Sequence, residues 1–306
     1  MKSADNTVCQ PDIATVCALA QQKELPAGRS RIHAIRRPFQ LDGRIVPDPE
    51  HLSGSRLEVG YWIVHGNESK VSDNIHVVGG YHLEVRELVL SALASGSLLT
   101  TAEDRQHGAL VLDIGKGVTD YVLYREGHVL VTGTVALGGE HLTNDLSIGL
   151  RVTTVQAEML KLRHGRAVVQ TRDKSEKVWL NGDMSFGDRQ LPKAALETIT
   201  AARTQELLEV VRKKLGPKFT PEHCGAGVIL TGGTAKLPGL EEAAGRVFGV
   251  PARRGESPSW VKDELKDPMF STVLGIYQFG LRAAHEHPVS ARRPSSFLRG
   301  LGELFS

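Results

Sequence analysis

The sequence lacks most of the features that announce a chemistry outright. Its three cysteines, Cys9, Cys17 and Cys224, are scattered singly through 306 residues. Without a C-x-x-C pair there is no disulfide framework and no zinc-ligand spacing, and a reducing cytoplasm is the expected compartment. The formal charge is only +2, with 37 Lys and Arg against 35 Asp and Glu, so no global attraction to nucleic acid is expected. No apolar run approaches the ~18–20 residues of a membrane-spanning helix. The polar opening MKSADNTV has no signal-peptide core behind it. Walker A spacing, G-x-x-x-x-G-K-[ST], does not occur, and no glycine pattern completes a dinucleotide fingerprint. The histidines, His285-x-His287 included, have no third ligand nearby, so no metal site is expected. No Ser/His/Asp ordering is readable, and Trp62, Trp179 and Trp260 read as packing residues.

What is present is an ordinary globular mixture, 41% hydrophobic and 24% charged, long enough for about two domains and a real core. Residues 11–24 read as a helix opening at Pro11 and Asp12. Residues 31–42 read as a strand bent near Pro38, 56–65 as an alternating strand and 68–79 as a helix. The apolar run 87–93 is predicted as a strand and 94–105 as a helix. ALVL at 109–112 is a buried strand, followed by a β-meander whose second turn is Glu126–Gly127–His128. Helices are predicted at 153–163 and about 193–215, with short strands in 166–192. The strand 227–230, a helix after Gly239 and a last helix at 267–283 close the globular part, and 284–296 reads as a linker.

Three motifs carry candidate chemistry. The first is Asp113-Ile-Gly115-Lys-Gly117-Val-Thr119-Asp120, between two apolar strands. A glycine-rich turn lets backbone N–H groups converge on a phosphate, and a strand-end carboxylate can hold Mg²⁺ through water. The plain alternative is a hairpin turn. The second is Glu158 and Lys161, three apart on one helix face, able to reach a ribose and a base or simply a solvated ion pair. The third is Leu230-Thr-Gly232-Gly233-Thr234, where bare backbone would admit an adenine, or a strand–helix turn and nothing more. At the C-terminus Phe297, Leu298, Leu301, Leu304 and Phe305 fall on one helical stripe beside Arg292, Arg293 and Arg299, the pattern of an interfacial helix on anionic lipid. Gly300 and Gly302 weaken that helix by ~1 kcal/mol each, so anchoring per monomer is expected to be marginal.

In this order the motifs resemble the second half of the actin, Hsp70 and sugar-kinase fold. VALGGEHLTNDLSIGLRVTTVQAEMLKLRHG, GVILTGGTAKLPGLEEAAGRVFGVPAR and DPMFSTVLGIYQFG narrow the resemblance to the FtsA family of bacterial cell-division proteins. LPAGRSRIHAIRRPFQLDGRIVPDPEHLSGSRLEV resembles that family's inserted domain. The likeness covers about residues 10–281. It implies an α/β, actin-like fold with an incomplete first lobe and an FtsA-type inserted α+β (SHS2-like) domain. It further implies an inserted domain at 1–79, a first-lobe remnant at 80–105 and a second nucleotide lobe at 106–151 and 225–281. Residues 152–224 would be a subdomain that docks the FtsZ tail, and 282–306 a linker and membrane helix.

By the same resemblance Asp113, Gly115, Gly117 and Thr119 face the ATP phosphates and Mg²⁺, and Gly138 and Gly139 line the cleft. Glu158, Lys161, Gly232, Gly233 and Thr234 contact the nucleoside. ATP with Mg²⁺ is the implied cofactor, and a weak ATPase is the most activity implied. Implied partners are FtsZ, further copies of the chain, the membrane surface and downstream division proteins, at the cytoplasmic face of the division site. A PilM-like pilus scaffold, a phosphotransferase and an inactive remnant are the alternatives. Two departures bear on this. Lys116 replaces a usual glycine, at ~1–2 kcal/mol if φ must be positive. Nothing matches the family's first phosphate loop. A truncated gene, or a start codon placed too late, is therefore expected. Leu88, Val89, Leu90 and Leu93 would then lose part of their cover, and ATP affinity would be weak or absent.

Overall fold

The computed structural model describes residues 6–22, 24–171, 173, 175–180 and 188–286. Helix α1 (Gln10–Gln21) packs on the antiparallel sheet β1 (Arg29–Leu41), β2 (Arg44–Val46) and β3 (Leu57–Asn67), with β1 central. Asp42 and Gly43 both take positive φ between the paired Leu41 and Arg44, the two-residue hairpin that Asp-Gly favours. Pro38 has no N–H to give the ladder, and β1 slips register between Arg36 and Phe39. Asn67 caps α2 (Glu68–Gly79), its side chain accepting from the Lys70 N–H at 3.1 Å.

The apolar run 87–93 is not a strand. It leads into α3 (Ser91–Leu99), capped at Leu90, and a break at Thr100–Thr101 separates α4 (Ala102–His107) from it. A short apolar run does not distinguish strand from helix by periodicity alone. Small residues settle it here, because Gly96 brings α3 so close to the sheet that a Cβ would meet the Tyr124 hydroxyl at 2.6 Å. Leu93 is buried, while Leu88, Val89 and Leu90 are half-buried, so the partial loss of cover expected for these four falls on the first three. His33 Nε2 accepts the Leu90 N–H at 3.1 Å and ties the first sheet to this junction.

The second sheet contains β4 (Ala109–Ile114), β5 (Thr119–Arg125), β6 (His128–Val135), β9 (Gly227–Thr231) and β10 (Ala252–Arg254), in the order β10-β9-β4-β5-β6. The meander β4-β5-β6 is antiparallel, β9 joins β4 in parallel and β10 joins β9 in parallel. Alternation along β4 sends Leu110 and Leu112 to one face and Ala109 and Val111 to the other. The first face meets α7 (Lys193–Leu215) through Leu207, Leu208 and Val211, and α8 (Leu240–Phe248) through Leu240 and Phe248. The second meets α3 and α9 (Ser271–Glu286). Each buried leucine contributes ~1.5–3 kcal/mol. Between the meander and α7 lie α5 (Gly139–Leu150), α6 (Thr154–His164), β7 (Lys177–Leu180) and β8 (Arg189–Pro192). The expectation of a helix at 153–163 matches α6, whereas α5 was not anticipated.

Glu197 of α7 has no exposed surface. Its carboxylate accepts the Gln170 and Thr171 N–H groups, both at 2.8 Å, and the Thr171 hydroxyl at 2.9 Å, with Arg166 Nε at 3.6 Å. Burial pushes its pKa up, but the Thr171 and Gln170 donors and the Lys193 charge outweigh it and hold the carboxyl below its usual range. A lowered folded pKa contributes stability that is present at neutral pH and lost as pH falls through the carboxylate range. Glu197→Ala should cost ~1–3 kcal/mol by leaving buried donors unmet, and Glu197→Gln less. Urea unfolding at several pH values checks both, with the acid-side slope reduced in the Gln variant.

Candidate functional site

The turn after β4 closes when the Gly115 N–H donates to the Val118 carbonyl at 2.9 Å. Its own carbonyls are then taken by the start of α5, with Gly139 N–H to Gly115 O at 3.0 Å and Glu140 N–H to Lys116 O at 2.8 Å. This approach needs a bare backbone at Gly138, where a Cβ would stand 2.5 Å from Lys116 O and 2.7 Å from Gly115 O. Lys116 is not among the described residues with positive φ, so the strain considered for a lysine here does not arise. Its side chain is exposed, with Nζ 3.7 Å from the Glu140 carboxylate.

Opposite, Lys161 Nζ donates to Glu158 at 2.7 Å, to the Thr143 hydroxyl at 2.9 Å and to Gly139 O at 3.1 Å. The Thr143 hydroxyl also donates to Glu158. Burial pushes the Glu158 pKa up, but the bonds from Lys161 and Thr143 and the charges of Lys161 and Lys116 bring it below the usual range. The third side comes from the turn after β9. The Thr234 hydroxyl donates to Gly115 O at 3.1 Å. Gly232, at φ +84°, passes so near β4 that a Cβ would meet Ile114 O at 2.5 Å.

Together these segments enclose a cleft of about 420 Å³ lined by Lys116, Gly139, Glu158, Lys161, Gly233 and Thr234. Leu142, Leu162, Lys236, Leu237, Pro238 and Met269 complete it. Of the residues singled out from sequence, Gly139, Glu158, Lys161, Gly233 and Thr234 meet here, and Gly138 and Gly232 stand behind as close-packed backbone. The second set was missed. Leu142 lies on the unanticipated α5, and Lys236-Leu-Pro238 directly follows the glycine turn, the one signal for them.

Asp113 sits apart from the cleft lining, its carboxylate accepting from the Thr272 hydroxyl at 2.7 Å. Burial pushes its pKa up and Asp120 adds to that, while bonds from Thr272 and Ser95 oppose it. Gly117 has open space around it. Thr119 is fully buried and spends its hydroxyl on Leu137 O at 2.8 Å. It therefore pins the hairpin to the end of β6 rather than offering a donor to a phosphate. Among the described residues no group of three His, Cys, Asp or Glu could hold a metal, and no helix is long and apolar enough to cross a membrane. Phe297, Leu298, Leu301, Leu304 and Phe305 lie outside the described residues.

The sheet order, the hairpin turn and the second glycine turn define an actin-like lobe carrying an inserted domain. Solved structures agree. MreB5 of Spiroplasma citri bound to ADP matches over 71% of this chain and 65% of its own, with a TM-score of 0.56 at 18% identity. The PilM-PilN type IV pilus biogenesis complex matches over 89% of this chain and 72% of its own, at 0.55 and 21%. The model of the cell division protein FtsA matches residues 110–275, and that of the SHS2 domain inserted in FtsA matches 1–65. FtsA of Pseudomonas aeruginosa is 30% identical over 91% of this chain and 67% of its own length, and FtsA of Bacillus subtilis 30% identical over 92% and 64%. The chain thus spans about two thirds of the length of these curated relatives. It belongs to the FtsA family of cell-division proteins.

The close approach at Gly138 yields a paired prediction. Gly138→Ala must displace the turn or α5 and should cost ~1–3 kcal/mol, a melting shift of several degrees for a chain this size. Gly117→Ala, whose Cβ meets nothing, should melt close to the parent. Calorimetric melting of both variants checks the contrast.

Proposed function

We propose that the chain is a division adaptor. The cleft takes Mg-ATP, residues 152–224 receive the FtsZ tail, and the C-terminal stripe holds the assembly on the cytoplasmic face of the membrane at the division site. One observation carries the nucleotide part: Gly139, Glu158, Lys161, Gly233 and Thr234, singled out on three separate segments, border one cleft. Glu158 and Lys161 suit ribose hydroxyls and base nitrogens. The Gly233 backbone and the apolar Leu237, Pro238 and Met269 suit an adenine face. Mg²⁺ would come with the phosphates toward Asp113, whose half-buried carboxylate has Thr272, Ser95 and Asp120 but no basic group among its described neighbours and would ionise more readily beside a cation.

Support for a docking role comes from α6, where Val155, Met159 and Leu162 are exposed at i, i+4 and i+7 beside Arg151 and Arg163, a face suited to an acidic, apolar peptide. Self-assembly would multiply a marginal lipid contact through avidity. The family membership and the relatives' name favour this reading over a pilus scaffold.

Among the described residues one lobe supplies the cleft, so Mg-ATP should bind weakly, and Glu158→Ala should weaken it further. Micromolar affinity in a calorimetric titration would contradict this. For the tether, labelled FtsZ should sediment with anionic vesicles in the presence of the full chain. It should stay in solution with a chain ending at Ser295 or with Phe297→Glu/Leu301→Glu. FtsZ recruitment that survives the double substitution would remove the stripe as anchor.

A further inference from the structure

Three ammonium groups line the cleft, those of Lys116, Lys161 and Lys236. Among the described residues each pairs with one carboxylate, of Glu140, Glu158 and Asp267 in turn. Charge in the lining is therefore balanced, and a polyanion gains a partner only where a lysine leaves the one it has. Lys161 is fixed. Its side chain is 13% exposed, and its Nζ meets Glu158 at 2.7 Å, the Thr143 hydroxyl at 2.9 Å and Gly139 O at 3.1 Å. Lys236 is hydrogen-bonded to Asp267, a carboxylate itself held by the Met269 N–H at 3.0 Å. The Lys116 side chain is 81% exposed, and its Nζ stands 3.7 Å from Glu140, past hydrogen-bonding distance. Solvent screens such a pair and leaves it weak, whereas taking a partly buried ammonium from three acceptors is costly. Of the three, Lys116 is the one that can turn to an incoming anion.

Its place in the turn suits that role. The Lys116 carbonyl accepts the Glu140 N–H at 2.8 Å, so the backbone is anchored and only the side chain is left to move. The Lys116, Gly117 and Val118 N–H groups donate to no backbone acceptor among the described residues. Successive N–H groups of this kind form a concave anion site, and the ammonium belongs to the same three residues. The Lys116 charge also acts across the cleft, since it helps hold the Glu158 carboxyl below its usual range.

We propose that Lys116 selects for phosphate in this cleft: its ammonium leaves Glu140 for the phosphate oxygens of a bound nucleoside polyphosphate, and so sets the preference for a nucleotide over its nucleoside. The proposal rests on the nucleotide reading above and names the side chain that reads the phosphates. The exchange is favourable because a bond from an ammonium to a phosphate oxygen is charge-assisted and short, and it replaces a long, exposed ion pair. Glu140 acts as the counterweight, since its carboxylate holds the lysine while the cleft is empty and competes with the anion for it.

Ligand-observed NMR titration of the full chain with adenosine and with ADP tests this, without divalent metal so that the lysine acts alone. ADP should bind at least ~5-fold more tightly than adenosine, the effect of one charge-assisted bond. Lys116→Gln should abolish the difference by weakening ADP while adenosine binds as before, which also shows that the cleft is intact. Lys116→Arg should keep the preference, and Glu140→Gln should increase it by releasing the lysine. A preference for ADP that survives Lys116→Gln overturns the assignment and leaves the nucleotide reading standing, as does an equal loss of both ligands. Binding of neither ligand to the parent chain refutes the nucleotide reading, and the proposal with it. Acetic anhydride labelling read by mass spectrometry checks the contact in the parent chain: ADP should slow acetylation of Lys116 and adenosine should not. Equal labelling with the two ligands overturns the proposal.

Discussion

The contact between the 115–118 turn and the start of α5 is the constraint on which the site depends. Two carbonyls of the turn, Gly115 and Lys116, receive the Gly139 and Glu140 N–H groups, and only a residue without a Cβ at position 138 allows the approach. The first-turn donors of a helix have no partner within it, and here the turn supplies one. With α5 held this way, Gly139 O and the Thr143 hydroxyl face Lys161, and Lys161 in turn fixes Glu158. The Thr234 hydroxyl closes the ring by donating to the same Gly115 carbonyl. One turn thus orients three segments far apart in sequence.

A second chain of contacts links this cleft to the small subdomain beyond it. Ala167 donates to Pro238 O at 2.9 Å, and Pro238 is part of the cleft wall. The segment holding Ala167 is clamped by Thr200, whose hydroxyl accepts the Arg166 N–H at 3.2 Å and donates to Arg166 O at 2.7 Å, and by the buried Glu197 carboxylate. Both residues belong to α7, and Arg203 of the same helix grips Asp145 of α5 through two nitrogens. The cleft wall and α7 are therefore joined by a continuous run of hydrogen bonds.

The sheet was readable because its strands are alternating or uniformly apolar and its turns are chemically explicit: Asp42-Gly43 and Glu126-Gly127 both take the positive φ that two-residue hairpins require. The glycine turns located the cleft for the same reason. What failed was of two kinds. At 87–93 the apolar run was too short to fix its own conformation, and small residues packing on Tyr124 and α9 made it helical. At 139–150 two glycines and polar residues hid a helix whose start is stabilised by the preceding turn, a tertiary effect. Thr119 misled because a hydroxyl beside a phosphate-type turn can equally point inward. Leu237, Pro238 and Met269 carry no chemistry in isolation and become a wall only when folded together.

Fold alone would not have separated this chain from its structural neighbours, since MreB5 and PilM share the architecture at 18% and 21% identity. The distinction lies in the sequence, which the FtsA model matches over residues 110–275 and the model of the SHS2 domain inserted in FtsA over 1–65. Lys161 is held by three acceptors and Lys236 pairs with Asp267. Lys116 is different: among the described residues its ion-pair contact is Glu140 at 3.7 Å, between two exposed side chains. Exposed pairs at such distances are weak and screened, so Lys116 is held less firmly than the other two. The lysine that departs from the family's glycine costs no backbone strain here. It adds an exposed positive charge to the cleft lining, on the same turn whose carbonyls receive the start of α5.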